Sequence, residues 1–157
     1  GPTRYGAALG AFDVADLVVE VGLADPVGIR RLLVNHNWAV AQGMWNCPTL
    51  AVVNRGRASV GGANWRNSIA HVVSATVADL PVALVREAGE DFDRALVAAC
   101  DVMTVNPHAA VLDDLEGLRN EIFKQLGLLP RRGSGRKKFR ETKLVKFLRR
   151  EQKEVKQ

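Results

Sequence analysis

A chain of 157 residues with 47% apolar side chains suits one domain with a full-sized core, and two cysteines are too few for a disulfide scaffold or a thiolate zinc site. The formal net charge of +5 is unevenly placed. Residues 131–157 hold twelve Lys or Arg against three Glu, whereas residues 1–130 hold ten basic and fourteen acidic side chains. The arm is therefore +9 and the body −4.

No apolar run reaches the roughly 18 residues that span a bilayer. Asp13, Asp16, Glu20 and Asp25 interrupt the N-terminal one, and there is no signal-peptide pattern. The expected location is a reducing intracellular compartment, cytoplasm or organelle matrix, or a virion. Cys47 and Cys100 both have apolar neighbours and are expected as small buried hydrophobes.

In chain order, Phe12 to Gly22 is open between a short helix and a strand. Asp25-Pro26 is a strong helix start, an N-cap acceptor followed by proline at the first helical position. The helix is expected to run to Gln42, with Gly43 as its stop. It is apolar on two sides: Val27, Val34, Trp38 and Ala41 form one stripe, Ile29, Leu32, Leu33 and Val40 the other. Such a helix is normally sandwiched. Thr49 to Val53 and Ala58 to Val60 flank Asn54-Arg55-Gly56-Arg57, the pattern of a small hairpin.

Asn64 is placed to cap a third element, in which Trp65, Ile69, Val72, Val73, Thr76, Val77 and Leu80 recur at helical spacing. Pro81 ends it or opens a short helix to about Ala88. Glu90-Asp91 begins another helix with Phe92, Leu96, Ala99 and Met103 expected inward. Asn106-Pro107 precedes a last body helix with Val111, Leu115, Leu118, Ile122 and Leu126 inward and Gly127 as its stop. The pattern predicts a mainly α fold: a compact bundle of about five helices over residues 1–129, with a possible small β-hairpin near 49–60. Residues 130–157 form a separate basic arm.

The arm is patterned. Arg131 to Arg136 reads as a linker, and residues 140–156 contain no Gly or Pro. Wound as a helix, they place Leu144, Val145, Phe147, Leu148 and Val155 in one sector, with the basic side chains opposite. Clustered cations meet polyanions through counterion release, which selects nucleic acid as the partner. The candidate contacts are Arg131, Arg132, Arg136, Lys137, Lys138, Arg140, Lys143, Lys146, Arg149, Arg150 and Lys153 on the arm. Arg55 and Arg57 join them from the glycine-broken loop that feeds the Trp65 helix, where two guanidiniums can meet one phosphate.

Other chemistry has little support. His36, His71 and His108 are dispersed with no ligand spacing, and His36 is expected as a hydrogen-bonded interior residue. No serine or cysteine sits in a nucleophile motif. Glu90 and Arg94 at i,i+4 explain each other as an ion pair. No cofactor, no metal and no enzymatic activity is expected. Trp38, Trp45 and Trp65 are expected in the core or at a subunit interface, not as a stacking platform.

Length and helix starts such as Leu23-Ala-Asp-Pro26 resemble short pieces of rod-shaped plant-virus coat proteins; the resemblance is scattered, includes no diagnostic motif and carries none of the expectations. These point to a structural nucleic-acid-binding assembly protein, RNA preferred to DNA, such as a viral coat or nucleocapsid protein or a ribonucleoprotein subunit. It is expected to form a homo-oligomer or enter a larger assembly. The alternative is an assembly subunit whose basic helix meets an acidic partner or membrane surface; a small enzyme without a recognisable motif is third.

Overall fold

The computed structural model describes residues 6–128, so the 129/130 boundary and the whole basic arm lie outside the described residues. The element order is α1 (Gly6–Asp13), β1 (Val18–Leu23), α2 (Pro26–Ala41), β2 (Thr49–Gly56), α3 (Ala58–Gly61), α4 (Trp65–Thr76), β3 (Val82–Arg86), α5 (Gly89–Val97), α6 (Val102–Val105) and α7 (Val111–Gln125). The three strands form one parallel sheet in the order β1-β2-β3. The expected helical bundle is therefore wrong: the fold is mixed α/β, with helices on both faces of a sheet.

The error has a physical source. A parallel strand buried on both faces reads as an unbroken apolar run, without the alternation that marks a half-buried strand. Leu50, Ala51, Val52 and Val53 are such a run, all buried in the central strand. The predicted hairpin fails for a related reason. Residues 58–61 turn as helix α3 and return no strand, because β2 pairs with strands distant in sequence. The Val82–Arg86 stretch, for which a short helix after Pro81 was one of two readings, is the third strand.

The sheet's two faces carry separate cores. Ala51 and Val53 face Ile29, Leu32 and Leu33 of α2 and Ile69 and Val73 of α4. Leu50, Val52 and Val85 face Ala95 of α5, Val102 of α6 and Val111 of α7, with Leu118 and Ile122 at the margin. Leu50, Val53, Val73 and Val111 are the largest fully buried side chains, each contributing about 1.5–3 kcal/mol of hydrophobic stabilisation. On β1, Val18, Glu20 and Gly22 take the α2 side, while Val19, Val21 and Leu23 alternate onto the other face and are exposed.

Several local signals read correctly. The Asp25 carboxylate accepts from the Gly28 N–H at 2.7 Å, with Pro26 opening α2. Gly43 and Gly127 both have positive φ just beyond their helices. His36 is buried and its Nδ1 lies 2.6 Å from a Glu20 carboxylate oxygen, tying α2 to β1. Asn64, by contrast, makes no side-chain cap on α4.

Four burial expectations need correction. Cys100 is exposed and Cys47 only half-buried. On α5 the inward residue is Ala95, whereas Phe92, Leu96 and, beyond the helix, Met103 are exposed. On α2 the buried residues are Ile29, Leu32, Leu33, His36 and Ala39; Val27, Val34 and Trp38 of one expected stripe and Val40 of the other are exposed, because a sheet covers one side of a helix and not two. Leu115 of α7, expected inward, is 37% exposed.

Gly56, the last residue of β2, has a steric reason to be glycine. A Cβ there would lie 2.1 Å from the Trp65 ring. Gly56→Ala is expected to push the Trp65 indole off the end of β2 at a cost of about 1–3 kcal/mol, read as a lower urea midpoint together with a shifted tryptophan emission.

Candidate functional site

Six charged side chains, Arg55, Arg57, Arg66, Arg86, Glu87 and Asp114, converge at the carboxyl ends of β2 and β3. β2 ends in Asn54-Arg55-Gly56 and is followed by Arg57; β3 ends in Arg86 and is followed by Glu87. The pairing of β2 with β3 shifts register between Val53 and Gly56, so the strand bulges at Arg55. Arg55 itself has φ +60°, an uncommon conformation for a residue with a side chain. The Asn54 side-chain oxygen accepts from the Arg55 N–H at 2.8 Å and supports that turn.

The bulge aims Arg55 at β3. Its Nε and Nη2 donate to one oxygen of Glu87 at 3.1 and 2.7 Å, and Arg57 Nη1 donates to the other oxygen at 3.2 Å. Arg57 Nε also donates to Ser59 Oγ. The hydrogen bond from Arg55, with the nearby Arg57 charge, holds the Glu87 carboxyl below the usual carboxylate range. The group keeps one net positive charge, and Arg55 Nη1 and Arg57 Nη2 are not spent in these bonds.

Immediately beside it stands a second arginine–acid–arginine group. Asp114, in the first turn of α7, receives Arg66 Nη2 from α4 at 2.7 and 2.8 Å. It also receives Arg86 Nε at 2.7 Å, Arg86 Nη2 at 3.1 Å and the Arg86 backbone N–H at 2.9 Å. Arg66 further donates to the Leu84 carbonyl and lies 4.4 Å over the Trp65 ring. Burial by itself would raise the Asp114 carboxyl; hydrogen bonds from Arg86 and Arg66 outweigh it and hold the group low. This buried carboxylate clamps α4 and α7 to the end of β3.

The two groups differ in what they can do. Asp114 is only 7% exposed, so its group is a structural clamp, whereas Arg55 and Arg57 are 58% and 44% exposed and can reach a solute. Of the sequence-predicted contacts, the structure thus brings Arg55 and Arg57 together, but on a carboxylate. Arg131, Arg132, Arg136, Lys137, Lys138, Arg140, Lys143, Lys146, Arg149, Arg150 and Lys153 lie outside the described residues.

Glu87, Arg86, Arg66 and Asp114 were not singled out by sequence reasoning. The usable signal was an arginine within two residues of the end of the Leu50 to Val53 and Val82 to Val85 runs, Arg55 and Arg86, which carries meaning only once those runs are strands of one parallel sheet. The Glu90–Arg94 ion pair forms as expected.

Among the described residues no group of His, Cys, Asp and Glu is arranged to hold a metal ion, and no helix is long and apolar enough to cross a membrane. No known protein-family profile matches the chain, and no curated protein matches it.

Proposed function

We propose that the chain is a nucleic-acid-binding assembly protein that engages the phosphate backbone, RNA in preference to DNA, as a nucleocapsid or ribonucleoprotein subunit would. The observation that carries this reading is the charge segregation: twelve basic side chains against three acidic in residues 131–157, on a body with an acidic excess. Such a cluster gains affinity by releasing condensed counterions. Arg55 and Arg57 add a second point of contact, since they are exposed beyond the carboxyl end of β2 and, with Glu87, keep a net positive charge. The acidic body is repelled by a polyanion elsewhere, which leaves its other surfaces to protein contacts.

The test is deletion of residues 131–157. The two cores and the Asp114 clamp use only residues up to 122, so the helical circular dichroism of the body is expected to persist. Binding to a random single-stranded RNA is expected to fall to the residual level that Arg55 and Arg57 support. Full retention of RNA binding by the shortened chain ends the proposal. Stronger retention on anionic vesicles or an acidic protein than on RNA by the full chain would favour the assembly-subunit alternative, which the exposed apolar side chains of α2 and α5 also suit.

A further inference from the structure

The sheet's two outer helical layers each leave an apolar feature unpartnered. Between α2 and α4 runs a groove of about 460 Å³. Ile29, Leu33 and Ile69 line it deeply, Val34 and Val72 stand exposed along it, and Arg30 is the one charged residue among those lining it. That composition is unusual here, because residues 6–128 carry fourteen acidic side chains against nine basic. A groove with no acid and one arginine is selective by sign: it fits an apolar ridge flanked by carboxylates.

The opposite layer displays such a ridge. Helix α5 commits only Ala95 to the core. Phe92 and Leu96, one turn apart, and Val97 project from it, the last two 80% and 89% exposed. Glu90 and Asp93 are exposed on the same short helix, and Glu90 pairs with Arg94. Large apolar side chains this exposed on a helix are a partner surface by default, and an apolar face laid into a groove is a common recognition mode.

We propose that copies of this chain associate head to tail, with α5 of one copy seated in the α2–α4 groove of the next and Glu90 or Asp93 facing Arg30. The groove and α5 lie on opposite faces of the sheet, so each copy keeps one free groove and one free ridge after pairing. Two different patches meet, which makes the contact heterologous; it extends into a filament or closes into a ring. The chain's own basic arm is a poorer occupant, because it would set its cations against Arg30. The proposal stands apart from the nucleic-acid reading, since neither surface contains a proposed phosphate contact.

The test uses the full chain, freed of nucleic acid by nuclease, with mass followed by sedimentation over a wide concentration range. Wild type is expected to grow in mass with concentration beyond a dimer. Val72→Glu blocks the groove and Leu96→Asp blocks the ridge; each change is at an exposed position, and each is expected to weaken self-association by about tenfold or more, because a carboxylate would be buried in apolar surroundings. The mixture decides the geometry. Val72→Glu retains a ridge and Leu96→Asp a groove, so an equimolar mixture is expected to form a dimer and stop there. A wild type that stays monomeric throughout overturns the proposal. So does association that survives either variant, or a mixture of the two that remains monomeric, which would indicate a self-complementary patch or another occupant.

Discussion

Asp114→Ala is expected to destabilise the fold by about 3 kcal/mol, the low end of what breaking a buried charge pair costs. The carboxylate is 7% exposed and receives two guanidiniums and a backbone N–H. Removing it strands the Arg86 N–H at the end of β3 and frees α7 from α4. The loss stays at the low end because Arg66 and Arg86 are each 37% exposed and can turn toward water. The pH dependence has a definite sign. The folded-state carboxyl is held below its ordinary value, so its stabilisation is present above the unfolded pKa and disappears as pH falls through the folded one. Urea unfolding of wild type and variant is therefore expected to differ most near neutral pH and to converge in the acid range below about pH 4. A gap that stays constant into strong acid would mean that Asp114 acts through packing and not through its charge. Glu87 and Asp101, also held low, add to the acid sensitivity of both proteins and cancel in the comparison.

The second large effect is on binding. Changing Lys146, Arg149, Arg150 and Lys153 together to Gln removes four cations from the arm. With a single-strand coefficient near 0.7 per phosphate, this is expected to flatten the slope of log K against log salt by about 3 and to weaken binding a few hundred-fold near 0.1 M salt. The loss is expected to be alike for all RNA sequences, since backbone contacts carry no base information. Fluorescence anisotropy on several unrelated RNAs checks both points. Selective loss of one sequence would place base readout in the arm.

What the sequence made legible was punctuation and sign. Asp25-Pro26, Gly43 and Gly127 marked helix ends by backbone chemistry that needs no tertiary context. His36 was readable as an interior residue because its helical neighbours are apolar. The sheet was not readable, because Leu50 to Val53 and Val82 to Val85 are short apolar runs whose period cannot separate a buried strand from a buried helix. That one ambiguity carried into the site. With β2 taken as half of a hairpin, Arg55 and Arg57 had no reason to meet Glu87, thirty residues on. Burial on α5 failed for a different reason: a helical stripe of Phe92 and Leu96 marks a face that wants a partner, and sequence cannot say whether the partner is the core or another molecule.

The most direct test of the central claim is the affinity of the intact chain for a random single-stranded RNA across a series of salt concentrations. Six to eight engaged basic side chains predict a linear fall of log K with log salt at a slope of about −4 to −6. A slope near zero, with affinity unchanged by salt, would contradict a backbone-binding role for this protein.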